Sequence, residues 1–129
     1  MSDNNFRAVT KNARISPRKA RLSVGLIRGK RVEAALNLLN FQLRRGSSMV
    51  KKTLESAVAN AANIGGVDPM DLTVVDARVD SGFTIKRARP AAKGRSAPRH
   101  KRCSHITIGV SRKLSVRARA RGISTARAK

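Results

Sequence analysis

Apolar and polar residues alternate loosely from Phe6 to Ile15 (FRAVTKNARI), with Phe6, Ala8 and Thr10 on one side and Arg7, Val9 and Lys11 on the other. This period of two predicts a short strand. Ser16-Pro17 then predicts a helix start, because a serine oxygen can accept from a free backbone donor and proline at the first helical position forfeits nothing. The helix is expected to end near Ile27, with Leu22, Val24, Leu26 and Ile27 as its apolar stripe and Gly29 as the left-handed stop. Val32–Phe41 (VEAALNLLNF) predicts a second, shorter helix offering Ala35, Leu36, Leu38 and Leu39 to a core. Arg44-Arg45-Gly46 reads as a basic turn, and Ser47 or Ser48 as the cap of a third helix over Met49–Ile64. Val50, Leu54, Ala57 (or Val58) and Ala61 fall on one face of it, and Asn63 with Gly65-Gly66 ends it. Ala57, Ala59, Ala61 and Ala62 either let a neighbour approach closely or are simply good helix formers.

Val67-Asp68-Pro69-Met70 predicts a turn, after which the period returns to two. Val75, Ala77 and Val79 oppose Asp76, Arg78 and Asp80; further on, Ile106, Ile108 and Val110 alternate with His105, Thr107 and Gly109. These are the limbs of an antiparallel hairpin with one wet face. Between them, Lys86–Arg102 (KRARPAAKGRSAPRHKR) has no apolar pattern with which to offset the roughly 1 to 2 kcal/mol of backbone entropy per ordered residue. Continued pairing from Asp80 to Ile108 would make limbs of about 14 residues, reaching about 45 Å from the body at ~3.3 Å per residue. A bare two-stranded ribbon is marginal in water, so the far part is expected to order only against a partner. Pro90 and Pro98 cannot donate to a ladder, which places an irregular tip over Ala91–Ala97.

Charge changes the picture. The 129 residues carry a net +22, too much for a small compact chain without attraction to a polyanion. Residues 1–80 hold 14 Lys or Arg against all seven acids, whereas residues 81–129 hold 15 bases and none. The segment 112–129, with seven bases and few apolar residues, is expected to be disordered without RNA, and residues 1–111 to form one domain. A single cysteine, Cys103, fits a reducing, cytoplasmic setting. No apolar run follows the start MSDNNFR and none is long enough to span a bilayer, so neither a secretory signal nor a membrane span is expected.

Eight cations crowd Lys86–Arg102, five Arg to three Lys, and the flat guanidinium suits bidentate phosphate contacts and stacking on bases. Ala88, Ala91, Ala92, Gly94, Ser96 and Ala97 keep such an arm thin. In the first helix, Arg18, Lys19 and Arg21 occupy a first turn that favours anions, so either a phosphate belongs there or these are solvated charges. With no Trp or Tyr and only Phe6, Phe41 and Phe83 aromatic, an aromatic stacking platform is not expected. His100, Cys103 and His105 match no structural zinc spacing, and no nucleophile–base, paired-carboxylate or phosphate-cradling glycine arrangement exists; no metal, cofactor or catalytic residue is expected. The competing reading is an architectural DNA protein whose arm enters a minor groove, though such proteins normally bring a second arm by dimerisation. A membrane-surface role lacks an amphipathic helix with large apolar anchors.

Five ordered motifs carry a resemblance. Arg14-Ile15-Ser16-Pro17-Arg18-Lys19-Ala20-Arg21-Leu22, Leu26-Ile27-Arg28-Gly29-Lys30 and Ser56-Ala57-Val58-Ala59-Asn60-Ala61 come first. Lys86-Arg87 with Arg89-Pro90 and Ala92-Lys93-Gly94-Arg95, then Lys101-Arg102 with Ser104-His105-Ile106-Thr107, complete the set. Over about residues 7–111 the chain resembles the bacterial large-subunit ribosomal protein twenty-two family, the tunnel-lining ribosomal proteins. It departs from that pattern at Ser81-Gly82-Phe83, Ala97-Pro98 and Cys103.

The resemblance implies an α+β fold: a three-stranded antiparallel sheet packed with three helices, and a long protruding β-hairpin at about 80–108. It implies a structural constituent of the large subunit that binds large-subunit rRNA, supports assembly and lines the nascent-peptide exit tunnel. Neighbouring large-subunit proteins and the nascent peptide would be partners, with no homo-oligomer expected. Contacts to rRNA would come from Lys86, Arg87, Arg89, Lys93, Arg95, Arg99, Lys101 and Arg102 in the arm. In the body they would come from Arg14, Arg18, Lys19, Arg21, Arg28 and Lys30. Ala92, Lys93, Gly94 and Arg95 would form the tunnel-facing tip.

Overall fold

In the computed structural model, which describes residues 5–112, the elements follow in the order β1 (Asn5–Ala13), α1 (Pro17–Ile27), α2 (Val32–Phe41), α3 (Arg45–Gly65), β2 (Thr73–Pro90) and β3 (Ser96–Ser111). A 3-10 turn at Pro69–Asp71 leads into β2, where the Asp-Pro turn was expected. The three strands form one antiparallel sheet in the order β1-β3-β2. Helix α3 packs across β1 and β3, α1 lies along β2, and α2 closes against α3. The architecture is the α+β arrangement implied by the resemblance. The basic tail expected from residue 112 onward lies, apart from Arg112, outside the described residues.

One face of the sheet and three helix stripes make the core. Ile106, Ile108 and Val110 on central β3 are fully buried, as are Val50, Leu54, Ala57 and Ala61 on α3, which matches their predicted periodicity. On β1, Ala8 is buried and Phe6 packs against the core, while Arg7 and Val9 face out, as the alternation required. In β2, however, the buried residue is Val74, not Val75. A register shift between Val74 and Asp76 inserts Val75 as an extra residue, and such a bulge exchanges the faces of what precedes it. Thr107 is also buried on the face expected to be wet, because β3 is flanked on both sides; the solvated residues are those of the outer strands.

Helix α1 has the predicted bounds but a different stripe. Ala20, Ser23, Val24 and Ile27 are buried, whereas Leu22 and Leu26 are about half exposed. Size explains the choice: α1 sits so close to α3 that a β-carbon on Gly46 would meet Ile15 Cδ1 at 3.1 Å and Ser23 Oγ at 3.3 Å, and only small side chains fit that seam. Ser16 takes the N-cap position without making a side-chain cap; its carbonyl instead accepts from Lys19 and Ala20 N–H. Helix α3 begins one turn earlier than predicted, so Arg45-Gly46 is helix and not turn. The Ser47 hydroxyl, read as a cap, is buried; it donates to Gln42 Oε1 and lies 3.2 Å from Ser23 Oγ, tying α3 to α1. Gly66, at φ 58°, ends α3 as predicted and donates its N–H to Ala61 and Ala62 carbonyls.

Beyond the Ala13↔Ser104 pair β1 stops, and β2 and β3 continue alone as the arm. Seven consecutive pairs, Thr84↔Arg102 to Pro90↔Ser96, give the ribbon about 23 Å at ~3.3 Å per residue. The reach of about 45 Å counted residues from Asp80 that belong to the three-stranded sheet. Pairing also passes through both prolines, contrary to expectation. Ala91 N–H bonds to the Arg95 carbonyl, so odd-numbered pairs carry the hydrogen bonds, and Ala88↔Pro98 and Pro90↔Ser96 are sites that need no ladder donor. The irregular tip shrinks to residues 91–95. Lys93 and Gly94 there both have positive φ, 57° and 70°, as the two central residues of a type I′ turn must.

A second bulge, between Ser81 and Thr84, sets the arm's departure from the body. A β-carbon on Gly82 would lie 3.1 Å from the Cys103 carbonyl oxygen and 3.2 Å from its carbon. Gly82→Val is therefore expected to push the two limbs apart at the root, at a cost of about 1–3 kcal/mol typical of overpacking. Thermal unfolding followed by circular dichroism checks this; an unchanged melting temperature would show that the bulge yields freely.

Candidate nucleic-acid interface

Every residue from Lys86 to Arg102 is exposed, and none belongs to the core. Strand alternation places Arg87, Arg89, Arg99 and Lys101 toward one face of the ribbon and Lys86, Pro90, Pro98, His100 and Arg102 toward the other. Arg87 stands directly opposite Arg99. Like charges facing one another across a ladder destabilise it, and no carboxylate among the described residues pairs with either arginine. Among the described residues the ion pairs join Lys51 to Glu55, Arg78 to Asp76 and Asp80, and Arg112 to Asp71; none includes an arm cation. Arg87 Nη1 donates 2.9 Å to the Lys86 carbonyl, leaving most of its donors outward. The arm presents many donors and positive charge and carries no carboxylate, which fits a surface of phosphate oxygens.

Four of the six predicted body cations form two groups, and Arg18 and Lys30 stand apart from both. Arg14 and Lys19 meet Lys101 and Arg102 at the arm's root, around a cleft of about 660 Å³ that Ile15, Ser16 and Arg45 also line. Among the described residues no carboxylate lines it. It lies where the chain enters α1, where α3 begins, and where β3 leaves the arm. Arg21 and Arg28 instead turn along β2, the sheet's edge strand. Arg21 Nη2 donates 3.1 Å to the Val79 carbonyl and Arg28 Nη2 donates 2.6 Å to the Ala77 carbonyl, each with a second bond from Nε. These bonds occupy edge carbonyls that would otherwise recruit another strand. Both residues remain exposed enough to meet an anion with their outer faces. Arg18 is exposed in the first turn of α1, and Lys30 lies at the far end of that helix, where its carbonyl accepts from Val74 N–H.

Arg45 is the residue that reading the sequence missed, because Arg44-Arg45-Gly46 looked like a turn. The available signal was Gly46, whose lack of a side chain lets the first turn of α3 close on Ile15. His105, weighed above with His100 and Cys103, uses Nδ1 to accept from Asn12 N–H at 3.0 Å. Asn12 has φ 55° within the irregular end of β1, and the ring also sits beside Gly82, so His105 links the distortions of both outer strands at the arm's root. Cys103, one residue from Ser104, is buried there.

The family described as Ribosomal protein L22p/L17e matches residues 8–111, which takes in the body and the whole arm. The chain is also 50% identical over 105 residues to the large ribosomal subunit protein uL22 of Ligilactobacillus salivarius (strain UCC118), covering 81% of this chain and 91% of that protein.

Proposed function

Since the chain belongs to the ribosomal protein L22p/L17e family, we propose that its arm is an RNA-embedded finger that lines the nascent-peptide exit tunnel of the large ribosomal subunit. The protein is a structural, non-enzymatic constituent of that subunit, with rRNA and other ribosomal proteins as its partners in the cytoplasmic ribosome. Residues 1–111 act as one RNA-binding domain. Lys86, Arg87, Arg89, Lys93, Arg95, Arg99, Lys101 and Arg102 neutralise rRNA phosphates along the arm, and its tip, Ala92, Lys93, Gly94 and Arg95, also turns toward the lumen and the passing peptide. Arg14, Arg18, Lys19, Arg21, Arg28 and Lys30 extend the contact onto the body. The chain works as a single copy.

The observation that supports this reading best is the fully exposed arm, with eight cations and no acidic partner among the described residues. Desolvating such a surface against another protein would leave charges unpaired, whereas a folded polynucleotide supplies one phosphate per nucleotide. Binding of the full chain to a large-subunit rRNA fragment, measured across salt concentration, tests it. Neutralising eight phosphates predicts a log–log slope of about −6 to −7. A flat salt response refutes the electrostatic mode, and equal affinity for random duplex DNA refutes the specific one. In fractionated ribosomes the protein is expected to stay with the large subunit at high ionic strength.

A further inference from the structure

The cleft at the arm's root is built for something other than a lone phosphate. Five cationic residues line it from three separate stretches of chain: Arg14 and Lys19 beside the start of α1, Arg45 from α3, and Lys101 and Arg102 from β3. Its volume of about 660 Å³ is in the range of sites that enclose whole small molecules, roughly 300 to 1,000 Å³. The lining is also mixed. Ile15, 9% exposed, supplies an apolar wall beside the guanidinium groups. Guanidinium planes stack on nucleobases as well as binding phosphates, and the sequence-specific part of RNA recognition is directed at unpaired nucleotides whose bases can swing out. A continuous duplex presents a convex ridge of phosphates, which would touch the rim of a concave site and leave its interior unfilled.

We propose that this cleft receives one unpaired RNA nucleotide together with the two phosphates that flank it, a proposal that rests on the RNA-binding reading above. The base lies against Ile15 and an arginine plane, and the flanking phosphates take the cations on either side. Because the walls come from both the body and the arm, the nucleotide joins α1 and α3 to β3 and fixes the angle at which the arm enters the RNA. Arg45 becomes a recognition residue under this assignment.

Adenosine 3′,5′-bisphosphate carries a base and both phosphates, and pyrophosphate carries only the charge; both are titrated against the full-length chain, with backbone amide shifts as the readout. The bisphosphate is expected to bind at least 10-fold tighter and to move the amides of residues 14–19, 45 and 101–102. That preference is expected to vanish in Arg45→Gln/Lys101→Gln, whose exposed positions leave the circular dichroism spectrum unchanged, and to weaken in Lys19→Gln alone. Equal binding of the two probes, or an unaltered preference in the double variant, overturns the inference. In a second arm, an RNA hairpin with a single bulged nucleotide is expected to bind at least 10-fold tighter than its fully paired counterpart. Equal, salt-sensitive binding of both hairpins sinks the nucleotide seat and leaves RNA binding standing, whereas failure to bind either one counts against RNA binding itself.

Discussion

Replacing Lys86–His100 with Asn-Gly, which joins Ile85 to Lys101 through a two-residue turn, is expected to leave the body folded while RNA affinity falls by at least ~100-fold and the salt slope becomes shallower by about 4 to 5. The two effects separate because the arm and the core share no residues. The core spans Ala8 to Val110 but takes none of its members from 86–100, all of which are exposed. The Ile85↔Lys101 pair keeps its register, and Lys101 and Arg102 remain to line the cleft. Six cations are lost, Lys86, Arg87, Arg89, Lys93, Arg95 and Arg99, and with them the Arg87–Arg99 repulsion. The truncated chain should accordingly melt at the same temperature or slightly higher at low salt. Helical circular dichroism with a cooperative melt checks the first half, and filter binding across a salt series the second. Collapse of the helical signal would show that the arm supports the body; unchanged affinity would show that the body alone carries recognition.

What the sequence made readable follows from which forces act locally. Helices α1 and α2 begin and end where expected because Pro17, the interval around Gly29 and the run Val32–Phe41 are signals contained within a turn or two of chain. The alternation of Ile106, Ile108 and Val110 survives intact because β3 is central and unbulged there. Errors gather where a second element decides. Leu22 and Leu26 lost the core to Ala20 and Ser23 because α3 approaches at Gly46, a distance that no hydrophobicity pattern contains. Val75 exchanged places with Val74 through a bulge, and Pro98 kept its pairing through the parity of its register, which depends on where the tip turns. At the interface the cationic arm was legible from composition alone. The cleft was not, since Arg14, Arg45 and Lys101 are far apart in sequence and meet only through the packing of α3 on α1.

Leu54→Ala is expected to unfold much of the free chain near body temperature and to spare it when RNA is present. Leu54 is fully buried in the middle of α3, the helix that packs across both β1 and β3. Removing its three outer carbons costs about 2–5 kcal/mol, the transfer term plus the cavity left in a core that relaxes only partly. Domains of this size are stable by only about 5–15 kcal/mol, and a net charge of +22 lowers that figure further for the isolated protein. A fall in melting temperature of about 8 °C or more follows, at about 4 °C per kcal/mol for a chain of this size. A ligand that binds only the folded chain adds RT ln(1 + [L]/Kd), about 4 kcal/mol at a thousandfold excess over Kd, enough to offset most of the cavity. Salt should then act in opposite directions on the two forms. It screens the self-repulsion of the free variant and raises its melting temperature, while it strips the same variant from RNA and lowers that of the complex. Melting curves of the variant at low and high salt, with and without a large-subunit rRNA fragment, show both signs in one experiment. If Leu54→Ala melts like the parent, α3 is not the pillar between sheet and cleft; if salt moves both forms the same way, the charge on this chain is not held in check by RNA.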